Sequence, residues 1–299
     1  MTLLLFGLFF LFMLLGVPIA FAIGASTLYA LHQSGVPLMV VTQQMFQGIN
    51  SFALVAIPMF ILAGDLMAQG KVSEKLVSFA DSLVGFMRGG LSVVSVMAGM
   101  FFAAISGSGA ATTAAVGSSL VPELKRKGYD PASAASLIAA SGTIGVVIPP
   151  SVPMIIYAVI AQQSVSKLFL NGFLPGLAMG LGLMAIAIAQ AYKRQYPKGT
   201  PLSLTTIWHT FKDASWGLMT PVIILGGIFS GIFTPSEAAV VAVNYAMLVS
   251  LFVYRDLNLP QIYKLLIRSA MTTAVIMLVI AMSAVLSWTL SSWQVPGAI

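Results

Sequence analysis

Two stretches of this 299-residue sequence place small, oxygen-bearing residues where an apolar run should continue: Ser106-Gly107-Ser108-Gly109, and Gly142-Thr143-Ile144-Gly145-Val146-Val147-Ile148-Pro149-Pro150-Ser151. Each stands in the middle of 30 uncharged residues, 91–120 and 132–161. Glycine and serine are poor helix residues. The two prolines remove two N–H donors, and Pro149 pushes Ile148 out of helical geometry. A helix interrupted within lipid exposes backbone groups that a cavity or an ion must satisfy. Its C-terminal carbonyls suit cations and its N-terminal N–H groups suit anions. Serine and threonine hydroxyls add neutral oxygens, the ligands a hard cation such as Na⁺ takes. For one break alone, ion binding and plain tight packing or kinking are both open readings. Two breaks in neighbouring elements favour the first.

Asp65 is the acid placed inside an apolar run, in Ala63-Gly64-Asp65-Leu66-Met67. An intramembrane acid suggests ion coupling or a proton relay. Its position near the cytoplasmic end of its span also fits an ordinary interfacial carboxylate. Glu237 in Thr234-Pro235-Ser236-Glu237 reads as a capping box, with Pro235 at the first helical position. Asn244 reads as an interhelical hydrogen-bonding residue. His32 and His209 are isolated and match no metal spacing. Cysteine is absent, and there is no Walker A loop or HExxH pair. These absences argue against thiol chemistry, direct ATP use and a zinc hydrolase, so the expectation is no enzyme and no cofactor.

Composition dictates the elements that hold these residues. Hydrophobic residues make up 59% of the chain and charged residues 7%, with a mean hydropathy of +0.99. A soluble domain carries about 25% charged residues. The surface must therefore face lipid, and long unbroken apolar runs make the spans helices rather than barrel strands. The net charge of +6 comes from basic residues in short loops, as positive-inside topology requires, and does not point to nucleic acid. The N-terminal run lacks a basic n-region and a small-residue cleavage site, and reads as a span rather than a removed signal peptide.

The first span is predicted over 3–28 and the second over 52–67, with the uncharged segment 36–50 lying in the interface. Residues 71–88 form an amphipathic helix, with Val72, Leu76, Phe79, Leu83 and Phe86 on one face. It suits the membrane surface or a connector packed on neighbouring helices. Basic residues flank both ends of 91–124, so the chain enters and returns, as a re-entrant hairpin with the SGSG turn at its tip. Asp130-Pro131 supplies an N-cap and a first helical residue for a discontinuous helix over 131–161 that crosses once. Further spans follow at 169–192, 216–233, 238–254 and 267–290, with a surface stripe at 204–213. Alternation puts the N-terminus and the basic loops at Arg88, 125–127, 193–198 and 255–268 in the cytoplasm.

The four blocks Ala56-Ile57-Pro58-Met59-Phe60-Ile61-Leu62-Ala63-Gly64, Ser106 to Ala115, Gly142 to Ser151, and Gly231-Ile232-Phe233-Thr234-Pro235-Ser236-Glu237-Ala238-Ala239 resemble the large, DctM-like (M) subunit of tripartite ATP-independent periplasmic (TRAP) transporters. Their order and spacing match over essentially the whole chain. The resemblance implies an all-α polytopic membrane protein with an inverted-repeat, ion-transporter-like fold in the bacterial inner membrane. It implies Na⁺-coupled, elevator-type uptake of organic acids such as C4-dicarboxylates or sialic acid. Its partners would be a small, DctQ-like membrane subunit and a DctP-like periplasmic substrate-binding protein.

The resemblance also implies site residues. A first Na⁺ site would use Ser106 and Ser108 with backbone carbonyls at Gly142, Gly145, Ile148 and Pro150. The substrate cavity would draw on Ser106, Gly107, Thr112, Thr143 and Ser151, with Asp65 as a possible coupling acid. Scaffold spans and an arm helix would occupy 1–89, part of the transport domain 90–166, a return span and interfacial helix 167–215, and the start of a second repeat 216–299. A second hairpin and second cation site should follow, so the chain is expected to be a C-terminally truncated or split version. The alternatives are another Na⁺-coupled secondary transporter, an ion channel, or an inactive fragment. A channel would call for repeated filter motifs or a voltage-sensing basic helix, and neither occurs.

Overall fold

In the computed structural model, which describes residues 1–69, 71–199 and 201–297, the chain is helical. Thirteen α-helices occur among the described residues: α1 (Thr2–Leu14), α2 (Ile19–Gln33), α3 (Met39–Ile49), α4 (Ala56–Gln69), α5 (Lys71–Val84), α6 (Gly90–Ser106), α7 (Gly109–Arg126), α8 (Pro131–Thr143), α9 (Val152–Ile160), α10 (Val165–Lys193), α11 (Leu204–Phe229), α12 (Pro235–Leu248) and α13 (Leu259–Ser292). Four described helices are long and apolar enough to cross a membrane: Phe52–Gln69, Val165–Lys193, Pro235–Val253 and Leu259–Ser292. The last two residues assigned to the start of a second repeat, 298–299, lie outside the described residues.

The chain divides into two compact units, Met1–Leu54 with Ala270–Ile299, and Val55–Ser269. In the first, Leu31, Val41 and Val285 form a small core, with Trp288 and Trp293 packed against it. Gly24 lets α2 approach the Met282 side chain, and Gly48 does the same at Ala284. Residues 3–28 are not one span, as the sequence reading had it. Gly16 takes a left-handed φ of +77°, and Pro18 cannot continue the preceding helix, so α1 and α2 are separate and pack on each other.

In the second unit α4 is central, touching α5, α6, α7, α9 and α12. The amphipathic α5 buries Val72, Leu76 and Phe79 against protein, chiefly α11 and α6, which is the packed-connector reading. The stripe at 204–213 and the span at 216–233 are not separate elements, because α11 runs unbroken from Leu204 to Phe229. Ser203 caps its start through Thr206 N, and Pro221 sits inside it without ending it. The remaining caps follow the sequence. Asp130 Oδ2 accepts from Ser133 N at 3.0 Å, and Thr234 and Glu237 form the reciprocal capping box. Asn244 differs from expectation. Its side chain donates to Val240 O at 2.9 Å, on its own helix rather than across to another.

The ends of these helices near the basic loops are tied together. Arg194 pairs with Asp130 at 3.1 Å, Tyr129 stacks on Tyr196, and Gly89 N donates to Pro197 O at 3.0 Å. The Ser133 backbone and Arg194 hold the Asp130 carboxyl below its ordinary value.

Candidate functional site

α6 and α7 are two halves of one apolar run, separated by Gly107 and Ser108. Gly107 caps α6 with a left-handed φ of +61°. Ser108 then turns into extended geometry (φ −136°, ψ 123°) and caps α7, its Oγ accepting from Ala111 N at 3.4 Å. The second break repeats this design. α8 passes into a short 3₁₀ turn, Ile144–Val146, and the chain leaves it through the cis Pro149–Pro150 bond. Ser151 (φ −136°, ψ 124°) caps α9 by accepting from Met154 N at 3.5 Å. Two helix C-termini and two helix N-termini therefore face one another, each pair split by a serine cap.

The breaks are in direct contact. Val152 N, left without a partner by the start of α9, donates to Gly107 O at 3.2 Å. A Cβ on Gly107 would stand 2.6 Å from Pro150 O, so only glycine allows this approach. A Cβ on Gly145 would meet Thr112 Oγ1 at 2.6 Å and Ser108 O at 2.9 Å, and one on Gly109 would meet Gly142 O at 2.9 Å. Glycines on both sides thus bring α7 against the α8 end, with the Thr112 and Thr113 side chains of α7 lying on the bare backbone of Gly145 and Gly142.

A hydroxyl cluster fills the junction. Ser106 Oγ lies 2.9 Å from Thr112 Oγ1 and donates to Ser108 O at 3.3 Å. Ser151 Oγ donates to Val146 O at 2.7 Å. Ser106, Thr112 and Ser151 are all buried. Among the described residues, no hydrogen bond reaches the carbonyls of Ile148 or Pro150. The donor set is neutral oxygen throughout. No group of three or more His, Cys, Asp or Glu able to hold a metal occurs among the described residues. That chemistry fits a monovalent hard cation better than a transition metal.

Of the residues singled out from sequence, Ser106, Gly107, Ser108, Thr112, Gly142, Gly145, Ile148, Pro150 and Ser151 come together here. Thr143 does not join them. It is exposed, and its Oγ1 donates back to Ala140 O at 2.7 Å. Asp65 stands outside the cluster, accepting from Ser269 Oγ at 2.7 Å. Its level is nonetheless informative. A Cβ on the preceding Gly64 would lie 3.0 Å from Ser106 Cα, so Asp65 is level with the first break, one helical residue round from it. Two participants escaped the sequence reading. Gly64 is the small surface on which Ser106 rests, and Thr113, whose Oγ1 bonds Gly109 O at 2.9 Å, presses on Gly142. The signal for Gly64 was its place beside Asp65 in an otherwise bulky run.

Span-length apolar helices around a buried meeting of interrupted helices define a polytopic α-helical membrane protein. The sequence model of the family described as "Tripartite ATP-independent periplasmic transporter, DctM component" matches residues 6–299. The chain belongs to that family, a family of multi-pass permease components and not of enzymes. It is 42% identical over 298 residues to the isethionate TRAP transporter permease protein DctMQ of Oleidesulfovibrio alaskensis, covering 99% of this chain and 47% of that protein. It is 41% identical over 285 residues to the 2,3-diketo-L-gulonate TRAP transporter large permease protein YiaN of Escherichia coli, covering 94% and 67%. It is 36% identical over 313 residues to the C4-dicarboxylate TRAP transporter large permease protein DctM of Rhodobacter capsulatus, covering 100% and 71%. The chain therefore spans between about half and about seven-tenths of the length of these relatives.

Proposed function

We propose that this chain acts as the large membrane subunit of a TRAP transporter, in Na⁺-coupled uptake of an organic acid by an elevator-type movement. Family membership supports the transporter role, and the names of its relatives, for isethionate, 2,3-diketo-L-gulonate and C4-dicarboxylates, support an organic acid as the cargo. In this reading α6 and α7 form a re-entrant hairpin, and α8 with α9 a discontinuous crossing helix, together the part of the transport domain in 90–166. Residues 1–89 supply scaffold spans and an arm helix, 167–215 a return span and interfacial helix, and 216–299 open a second, inverted repeat. The basic loops lie on the cytoplasmic side of the inner membrane.

One observation carries the proposal: the two breaks meet, with Val152 N bonded to Gly107 O across them. The reaction needs neutral oxygens to replace the hydration shell of the coupling ion. Ser106 and Ser108 would supply hydroxyls, and Gly142, Gly145, Ile148 and Pro150 carbonyls. The capped N-termini of α7 and α9 turn partial positive charge towards the same place, which suits the anionic carboxylate or sulfonate of a substrate. Ser106, Gly107, Thr112 and Ser151 would border that cavity. The exposed Thr143 would line it where further protein closes over it. Asp65, level with the break and held by Ser269, is the candidate coupling acid.

A small membrane subunit and a periplasmic substrate-binding protein complete the system in this reading. The fused DctMQ relative carries more chain than the part matched here. The test is uptake of a labelled organic acid into proteoliposomes that contain the chain, a small subunit and a binding protein. Uptake should follow an imposed Na⁺ gradient and stop when Na⁺ is replaced by K⁺. Uptake indifferent to that exchange would overturn the coupling assignment.

A further inference from the structure

Thr112 of α7 does not make the bond its position offers. A threonine inside a helix commonly turns its hydroxyl back to the carbonyl four residues earlier. Thr113 does so, donating to Gly109 O at 2.9 Å. The equivalent acceptor for Thr112 is Ser108 O, which already takes Thr112 N at 2.9 Å and Ser106 Oγ at 3.3 Å. Thr112 Oγ1 lies instead 2.9 Å from Ser106 Oγ, and among the described residues no other hydrogen bond reaches it. We infer that Thr112 is a positioning residue: it donates to Ser106 and so fixes which side of the Ser106 hydroxyl meets a bound cation. The inference rests on the cation-site reading proposed above.

The direction of the bond follows from counting protons. Ser106 is 1% exposed and Thr112 0%, so each hydroxyl proton needs an acceptor inside the protein. If Ser106 donated to Thr112, the Thr112 proton would be left without one. If Thr112 donates, its proton rests on Ser106 Oγ, the Ser106 proton rests on Ser108 O, and both are satisfied. The relay therefore runs from Thr112 through Ser106 to the Ser108 carbonyl.

A hydroxyl ligates a cation through a lone pair, and a hydroxyl proton turned towards the cation opposes binding. With its proton held on Ser108 O, Ser106 presents oxygen. One lone pair takes the Thr112 proton. The other meets Ser108 N at a long 3.4 Å, a weak contact that a cation can displace. Thr112 is itself held in place. Its branched Cβ restricts χ1, and its Oγ1 lies so close to Gly145 that a Cβ there would stand 2.6 Å away. The Ser106 backbone is fixed separately, by Gly64, whose Cβ would stand 3.0 Å from Ser106 Cα. Thus α4 sets the Ser106 backbone and α7 sets its hydroxyl. A ligand oriented in advance loses less freedom when the ion arrives, which tightens binding.

The test is thermal unfolding of the intact chain in detergent, with NaCl titrated against KCl at constant ionic strength. Unfolding in KCl alone reports the structural cost of each variant, and the Na⁺ concentration giving half the rise reports positioning. Thr112→Ala should raise that concentration about tenfold, the size of one lost hydrogen bond. Thr112→Ser keeps the hydroxyl and should return it to within about twofold of the native value. Ser118→Ala, which removes an exposed α7 hydroxyl bonded to Ala115 O, should leave it unchanged. If Thr112→Ala does not fold, Thr112→Val, which keeps the volume, carries the same expectation. A native Na⁺ response with an unshifted midpoint in the variant lacking the hydroxyl would overturn the positioning role alone. So would a serine variant no better than alanine. A native chain with no Na⁺ response would overturn the cation site, and the positioning role with it.

Discussion

Gly16 and Gly107 do the same thing to the backbone and mean different things. Both follow an apolar helix and both turn left-handed, at φ +77° and +61°. Around Gly16 nothing stands within 4 Å of where a Cβ would be, whereas Gly107 is buried with Pro150 O at 2.6 Å from that point. At the first, glycine only lets α1 end and α2 begin. At the second, it lets the interrupted end of α6 touch another interrupted helix. A broken helix becomes a candidate site when the groups it exposes meet those of a second break, and it stays a turn when they do not.

The contrast can be broken by substitution. Gly107→Ala meets both a left-handed backbone and the Pro150 carbonyl, and should cost about 2–4 kcal/mol. Gly16→Ala pays only the backbone strain, about 1–2 kcal/mol. Thermal inactivation of the two variants, measured together, should separate them clearly, and equal shifts would erase the distinction. Ser106→Ala comes next. It takes a hydroxyl partner from the buried Thr112 and should cost about 1–3 kcal/mol. Ser151→Ala removes a cap and the donor to Val146 O, worth about 1–2 kcal/mol. Ser203→Ala, a cap of similar geometry at the exposed start of α11, should cost less in the same unfolding assay.

The smallest effect belongs to the half-exposed Lys75–Asp213 pair, 2.6 Å apart. The hydrogen bond from Lys75 holds the Asp213 carboxyl below its ordinary value. Its contribution is therefore present above the ordinary carboxylate range and lost as pH falls through and below it. Asp213→Asn should flatten that acid limb of a stability–pH curve and leave neutral pH almost unchanged, because exposed pairs contribute little.

Much of this was legible from residues. The breaks at 106–109 and 142–151 stand out because Gly, Ser and Pro interrupt uncharged runs. Asp130 and Thr234–Glu237 announce their helix starts by local hydrogen bonding alone. The α1–α2 division was not legible, since one glycine and one proline in a Leu- and Phe-rich run look like a tolerable kink. The continuity of α11 was hidden for the opposite reason. Its polar first third changes periodicity without ending the helix. That Asp65 stands level with the first break was not legible, because it follows from Gly64 meeting Ser106, a contact 42 residues away in sequence. Thr143 shares its segment with the site, but its rotation about α8 points it outward, and helix phase near a break does not follow from spacing.

The central claim is that the joined breaks bind Na⁺. The most direct measurement is thermal unfolding of the intact chain as Na⁺ replaces K⁺ at constant ionic strength. The account predicts a saturable, Na⁺-specific rise in unfolding temperature, lost in Ser106→Ala and kept in Gly16→Ala. Superimposable curves in the two salts, or a rise that survives Ser106→Ala unchanged, would contradict it.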